Sequence, residues 1–350
     1  MKQNIDRFEE HLRGKKRVLA VGHFHPDGDA AGAVVATARF LESIGIECSI
    51  VLPSPTPSYL DFLDPGKSIV IYTQDRERAE RLICESELII CLDFNSLSRT
   101  EEMERSLRES KAPKILIDHH LNPVTEEFEL IFSDPSASAT CELLWRVLMG
   151  MSCTHGDIRA LPEEARTALA AGILADTNNF SNSVTPDTFT MASQLLHSGV
   201  DLAELNDRLF KHFSENRLRM LGELLTRSMV FHPNLNACSM ILSQQTKRSF
   251  DYKEGDTEGF VNIPLSVKDV EISALFTESD GYVKVSLRSK GGVSVNSFSA
   301  KYFNGGGHER AAGGRIYLPL EEVRDYFERS LEQFLRERTE IKKMINEQTQ

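Results

Sequence analysis

Val21-Gly22-His23-Phe24-His25-Pro26-Asp27-Gly28-Asp29-Ala30 joins an apolar strand, Arg17–Gly22, to a helical pattern, Ala30–Ile44, through a turn that holds two histidines and two carboxylates. Working outward, further strands are expected over Glu47–Leu52, Ser68–Tyr72, Glu87–Leu92 and Lys114–Ile117. Helices are expected over Arg76–Cys84, Glu101–Ser110 and Ala139–Met149. Near-continuous apolar strands alternating with helices indicate an α/β fold with a mainly parallel sheet covered on both faces. From Pro162 to about Thr226 the pattern turns helical and includes an alanine-rich segment, Ala165–Ala175. Beyond Met229 the character changes. Alternating stretches such as Tyr282–Arg288 and Val293–Phe298 read as strands, glycine clusters at 291–292, 305–307 and 313–314 punctuate them, and Leu320–Lys343 has helical spacing.

With 350 residues, of which 41% are hydrophobic and 26% charged, the chain has ample material for a core and exceeds the usual size of a single one, so two domains are expected. Its apolar runs, such as Leu88–Leu92 and Ile115–Ile117, are strand-sized and too short for a bilayer. The N-terminal segment has the pattern of an amphipathic helix and no signal-peptide core, so a cytoplasmic protein is expected. The six cysteines (Cys48, Cys84, Cys91, Cys141, Cys153, Cys238) form no C-x-x-C pair, which suits buried or free thiols in a reducing compartment rather than a zinc or disulfide framework. A net charge of −12 argues against a track for long nucleic acid, which relies on many cationic contacts to phosphate. A small anionic substrate is compatible with it, because bound divalent cations supply positive charge locally.

The chemistry concentrates at strand ends. Asp27-Gly28 could form a turn and Asp29 could cap the next helix. Yet Glu87–Leu92 also ends in an acid, Asp93, and Lys114–Ile117 ends in Asp118-His119-His120. In an open parallel sheet the carboxyl ends of strands border the ligand crevice. Like charges gathered there repel and call for cations. Asp176 closes the apolar run Ala168–Ala175, where an acid opposes the helix dipole unless something compensates it. Carboxylates with imidazoles and no thiolate suit two ions of Mn²⁺, with Mg²⁺ or another divalent ion as the alternative. A pair about 3.5–4 Å apart and sharing a carboxylate can hold a hydroxide as nucleophile and stabilise charge on phosphoryl oxygens.

The order His23, Asp27, Asp29, then Asp93, then Asp118-His119-His120, then Asp176 resembles the DHH phosphoesterase superfamily. The segment Gly305-Gly306-Gly307-His308-Glu309-Arg310-Ala311-Ala312-Gly313 is similar to the signature of its DHHA1-type second domain. The resemblance implies a catalytic domain over 1–192, a helical linker over 193–214, and a smaller α/β substrate-binding domain over 215–350, with the active-site cleft between the two domains. It implies that His23, Asp27 and Asp93 hold one ion and that Asp29, Asp93, His119 and Asp176 hold the other, with Asp93 bridging. His120 would face the scissile phosphate, and Asp118 would orient its neighbours. Gly305, Gly306 and Gly307 would present backbone N–H groups to a phosphate, with His308 and Arg288 adding side-chain donors. Arg99 resembles an arginine often found after the strand-terminal acid, and Arg310 stands beside the glycine loop; both join the candidate substrate contacts. His25 has no assigned ligand role, and a contact with metal or substrate stays open for it. Thr177-Asn178-Asn179-Phe180 departs from the more usual glycine after Asp-Thr. Trp145 is read as core, and His155, His197, His212 and His232 as surface or packing residues.

Among relatives, the compact group resembling oligoribonuclease/pAp phosphatases (nanoRNases) fits best. These hydrolyse RNAs of a few residues to mononucleotides and 3′-phosphoadenosine 5′-phosphate (pAp) to AMP. The alternatives are an exopolyphosphatase, a stand-alone cyclic dinucleotide phosphodiesterase, or a non-enzymatic nucleotide sensor. The membrane-bound phosphodiesterases and family II pyrophosphatases fit less well, lacking respectively the compact build and the glycine-rich signature. The expected partners are short RNA and pAp, with no membrane and no long nucleic acid, and a homodimer stays open. With so few cations near the motifs, a trinucleotide should be cleaved faster than an RNA of about 20 nucleotides at equal concentration. Initial rates measured side by side check this, and faster turnover of the longer strand contradicts it.

Overall fold

The computed structural model describes residues 1–211 and 213–348, with side chains to Thr339. His212, in the expected linker, and the last two residues of the tail lie outside the described residues. The chain divides into two compact units, Met1–His212 and Phe213–Gln350.

The first unit opens with α1 (Lys2–Leu12), whose amphipathic spacing buries Ile5, Phe8 and Leu12. There follow β1 (Arg17–Val21), α2 (Gly28–Ser43), β2 (Glu47–Leu52), β3 (Val70–Ile71), α3 (Arg76–Glu85), β4 (Leu88–Leu92), α4 (Glu104–Glu109), β5 (Lys114–Asp118), β6 (Leu130–Ser133), α5 (Thr140–Gly150), α6 (Glu163–Asp176), α7 (Pro186–His197) and α8 (Leu202–Phe210). The strands form one sheet in the order β3-β2-β1-β4-β5-β6, with every neighbouring pair parallel. Alternation along β1 sends Val18 and Ala20 to the face covered by α1, α2, α5 and α6. Leu19 and Val21 face the layer of α3 and α4. Burial of the strands on both faces explains their unbroken apolar runs. The strand order reverses between β1 and β4, so the chain leaves these two neighbours in opposite directions and opens a crevice at their carboxyl ends.

Two local expectations give way here. Leu130–Ser133 is a sixth strand, too short for its alternation to stand out beside the acidic residues before it. The segment expected as one helix over Glu101–Ser110 is a 3₁₀ stretch, Leu97–Met103, broken at Glu101 (φ 50°), followed by α4.

The alanine-rich segment has a tertiary purpose. α2 and α6 pack with small residues facing one another, Ala30 to Ala38 on one side and Ala165 to Gly172 on the other, all buried apart from Arg166 and Thr167. A Cβ added at Gly32 would lie 2.5 Å from the Ala168 carbonyl oxygen and 3.1 Å from the Gly172 nitrogen. That closeness brings the start of α2 beside the end of α6.

The second unit comprises α9 (Glu215–Glu223), β7 (Val230–His232), β8 (Ala237–Leu242), α10 (Gln244–Ser249), β9 (Ile272–Ser279), β10 (Tyr282–Ser289), α11 (Val295–Tyr302), β11 (Gly306–Gly307), β12 (Ala311–Ile316) and α12 (Val323–Gln348). Its mixed sheet has the order β11-β12-β10-β9-β8-β7, with only β8 and β9 parallel. Phe276, Phe298, Phe303 and Phe327 form the centre of its core. Val293–Phe298, expected as a strand, instead enters α11. The Ser294 side chain caps the helix by accepting the Ser297 N–H, and Val295, Phe298 and Ser299 are buried at helical spacing. His232 is buried in this unit, its Nε2 2.9 Å from Ser239 Oγ.

Gly32→Ala separates two opposing effects. Helix propensity alone favours alanine by about 0.8–1.0 kcal/mol. Overpacking against the α6 backbone costs roughly 1–3 kcal/mol. A net loss of stability is expected, read as a lower urea midpoint at unchanged m-value. A stabilised variant would mean that α2 and α6 do not pack this closely.

Candidate metal centre

Each acidic donor is delivered by an element end. β1 runs into His23; Asp27 caps α2, its Oδ1 accepting the Asp29 and Ala30 N–H groups at 2.9 and 3.1 Å. The cap is therefore Asp27 rather than Asp29, and α2 begins at Gly28, two residues earlier than its pattern suggests. Asp29 is buried in the first turn, where its two carboxylate oxygens accept the backbone N–H groups of Thr140 (2.6 Å) and Cys141 (2.9 Å) at the N-terminus of α5. β4 leads directly into Asp93, which is buried and adopts a left-handed backbone (φ 66°), uncommon for a residue with a side chain. β5 carries Asp118 and leads directly into His119 and His120. Asp176 is the last residue of α6.

These side chains meet at the carboxyl ends of β1, β4 and β5. Asp93 Oδ2 lies 3.5 Å from His23 Nε2, while Asp93 Oδ1 lies 3.7 Å from His119 Nε2. His119 Nε2 is also 3.4 Å from Asp176 Oδ2 and 3.9 Å from Asp29 Oδ2. Donor atoms of His23, Asp27 and Asp93 form one group with metal-ligand spacing, and those of Asp29, Asp93 and His119 form another, with Asp93 common to both. The imidazoles are aimed by backbone carbonyls: His23 Nδ1 is 2.9 Å from Phe24 O, and His119 Nδ1 is 3.1 Å from Ala137 O. Each ring thus turns its Nε2 toward the carboxylates. Asp118 Oδ1 lies 2.7 Å from His120 Nδ1, so this acid orients His120, whereas His119 is held by the Ala137 carbonyl.

Electrostatics follow from the crowding. Burial raises the Asp29 carboxyl well above its usual range, and the charges of Asp93 and Asp176 push the same way. Burial also raises Asp176, to about 6, although 29% of its side chain stays accessible. Burial alone would raise Asp93, yet the hydrogen bond from His23 and the charges of His120, His23 and His119 outweigh it and hold this carboxyl below the usual range. Burial would lower His119, but Asp176, Asp93 and Asp29 together hold it up to about 10. Asp93 and Asp27 likewise lift His23 against burial, with Arg99 opposing them. The cluster thus balances its acids with imidazolium protons, which cations could replace. The buried Asp118 Oδ2 has no hydrogen-bond partner among the described residues. A donor set of carboxylates and imidazoles with this unspent acceptor fits one or two hard divalent ions.

Other candidates take separate places. Arg99 is exposed, and its carbonyl accepts the Phe24 N–H at 2.8 Å beside His23. His25 (φ 55°) is exposed; its backbone N–H reaches Ser54 Oγ at 2.8 Å, and it joins neither donor group. Asn178, Asn179 and Phe180 are all left-handed (φ 47°, 55° and 61°), which accounts for asparagine where glycine is more usual, since asparagine tolerates that region. Trp145 is buried and donates Nε1–H to Gln194 Oε1 at 3.0 Å.

Gly305, Gly306, Gly307, His308, Arg288 and Arg310 gather in the second unit around β10, β11 and β12. Arg288 pairs with Ala311 across the sheet, and Arg310 O accepts the Ser289 N–H at 3.0 Å. A Cβ at Gly305 would lie 1.9 Å from Gly313 O, and Gly307 has φ +146°, so close backbone approach requires glycine at both. The Gly307 N–H donates to Asn296 Oδ1 (2.9 Å) and the His308 N–H to Ala311 O (2.7 Å), which commits these two amides to the unit's own folding. Asn296 carried no signal in the sequence. Thr140, whose hydroxyl donates to Asp93 Oδ1 at 2.8 Å, was signalled by no more than the small hydroxyl-rich run Ser136-Ala137-Ser138-Ala139-Thr140 before an apolar helix.

A parallel sheet with an acid–imidazole cluster at its reversal point defines an α/β protein built to hold cations against an anionic ligand. A model of the DHH family, N-terminal domain, matches residues 17–173, and one of the DHHA1 domain matches residues 238–337. Bifunctional oligoribonuclease and PAP phosphatase NrnA from Thermus thermophilus is 30% identical over 315 residues, covering 89% of this chain and 86% of that protein. Probable bifunctional oligoribonuclease and PAP phosphatase NrnA from Streptococcus mutans is 28% identical over 320 residues, covering 91% and 94%. Among solved structures, an exopolyphosphatase-related protein from Bacteroides fragilis is 35% identical with a TM-score of 0.89, covering 95% of this chain and 97% of that one. The chain belongs to the DHH family and carries a DHHA1 domain. Among the described residues no helix is long and apolar enough to cross a membrane.

Because an imidazole must be neutral to ligate, the proton held by His119 would have to leave were His119 to take a divalent ion. Cation binding near pH 7 should therefore release protons, and affinity should fall as pH is lowered. Calorimetric titration with Mn²⁺ in buffers of different ionisation enthalpy reads this; zero net proton release would contradict it.

Proposed function

We propose that this chain hydrolyses short oligoribonucleotides to mononucleotides and 3′-phosphoadenosine 5′-phosphate to AMP, using two divalent cations, Mn²⁺ by preference, in the cytoplasm. The chain is a hydrolase of phosphate esters. The observation that carries the reading is the division of Asp93: one oxygen turns to His23 and the other to His119, so a single carboxylate serves two donor groups. The relatives named as oligoribonuclease and PAP phosphatase, aligned over nearly the whole chain, support the substrate class.

In this reading His23, Asp27 and Asp93 hold one cation, and Asp29, Asp93, His119 and Asp176 hold the other. When bound, the cations would supply positive charge against phosphoryl oxygens and lower the pKa of a water nucleophile. His120, steadied by Asp118, presents its Nε2 to the scissile phosphate, and Arg99 adds a cation beside His23. Catalysis belongs to residues 1–192, joined through 193–214 to residues 215–350, where His308, Arg288, Arg310 and the segment Gly305–Gly307 bind substrate phosphate. Cleavage of a phosphate ester beside a second phosphate is common to both substrates, which lets one set of residues serve them. A homodimer is the proposed assembly.

Polyphosphate is the competing substrate, favoured by the likeness to the exopolyphosphatase-related structure. Rates with Mn²⁺ on pAp, a trinucleotide, polyphosphate, pyrophosphate and cyclic di-AMP decide between them. pAp and the trinucleotide should turn over fastest, and a clear preference for polyphosphate or cyclic di-AMP would overturn the assignment. Asp93→Asn should abolish turnover and retain a native circular dichroism spectrum, since the sheet core is untouched; retention of two tightly bound ions in this variant would refute the bridge.

A further inference from the structure

One turn of chain, 137–141, touches three members of the cluster at once. The Ala137 carbonyl fixes His119 Nδ1 at 3.1 Å. The Thr140 and Cys141 N–H groups hold both oxygens of Asp29. The Thr140 hydroxyl donates to Asp93 Oδ1 at 2.8 Å. Thr140 is fully buried and is the residue that binds two like-charged carboxylates, Asp29 through its backbone and Asp93 through its side chain. The hydroxyl reaches the oxygen of Asp93 that faces His119, not the one that faces His23.

A carboxylate oxygen has two lone-pair directions, so a donor on one of them selects the direction left for a cation. The turn is itself secured: Ser138 and Thr188 hydroxyls donate to the buried Glu142 carboxylate, which ties the start of α5 to the start of α7.

We propose that Thr140 is a positioning residue whose hydroxyl sets the direction of Asp93 Oδ1, and thereby the affinity for the cation on the Asp29–His119–Asp176 side of the cluster. The inference rests on the two-cation reading. A threonine that merely satisfied its own buried hydroxyl would contribute to stability alone. A positioning threonine instead weakens one cation selectively when its hydroxyl is removed, because that hydroxyl donates to the Asp93 oxygen that faces His119 and not to the one that faces His23.

The test is Mn²⁺ titration by calorimetry of the full chain, with thermal melting of each metal-free variant alongside. Thr140→Val, close in shape but without the hydroxyl, should lose about 10- to 100-fold in affinity for one of two ions and leave the other within a few-fold. Thr140→Ser restores the donor and should bind both ions as the wild type does. Affinities for both ions unchanged from the wild type in Thr140→Val, or a parallel loss at both, overturn the proposal. So does a Thr140→Ser variant that loses one ion, a result that remains readable even where Thr140→Val fails to fold. A wild-type protein that takes up fewer than two ions would sink the two-cation reading itself, an outcome distinct from either variant result.

Discussion

Mutual repulsion among buried carboxylates is the constraint on which the first unit depends. Asp29 and Asp93 are both nearly inaccessible, and Asp176 stands against the same histidine. Gathering acids away from water costs free energy unless opposite charge and hydrogen bonds compensate. Every surrounding element answers that need. The N-terminus of α5 offers two amides to Asp29, the imidazoles of His23 and His119 face Asp93, and backbone carbonyls hold those rings with Nε2 inward. What remains is a site whose charge balance depends on protons that divalent cations can displace.

The fold supplies this geometry through its sheet and its smallest side chains. Reversal of strand order between β1 and β4 opens the crevice, and three neighbouring strands end there in acids or histidines. The fourth wall comes from α6, which can bring Asp176 into the cluster because alanine and glycine let its backbone approach α2. An apolar packing choice thus decides an electrostatic outcome some residues away. Left-handed backbone also occurs at this place, with Asp93 at the end of β4 and three such residues following closely after Asp176.

The second unit uses glycine differently. Gly305 and Gly307 are required by close contact of β11 with β12, and the Gly307 and His308 amides are spent on Asn296 and Ala311. A glycine-rich run therefore need not be an open cradle of N–H groups. In the proposed function, phosphate recognition here leans on the side chains of His308, Arg288 and Arg310 more than on these two amides.

Strand and helix alternation, the placement of acids at strand ends and the buried faces of β1, β4 and β5 were all readable from the chain, because each is a property of neighbouring residues and their period. The strand pattern of Val293–Phe298 misled for the same reason: six residues of mixed polarity fit a short strand, and only the Ser294 cap and the core beneath Val295 and Phe298 select the helix. Which oxygen of Asp93 faces which histidine, and that Thr140 joins Asp29 to Asp93, were decided by the tertiary structure alone. Those contacts link residues as much as 111 positions apart, and no local periodicity encodes a bond whose partners meet only when the sheet and its helices have packed.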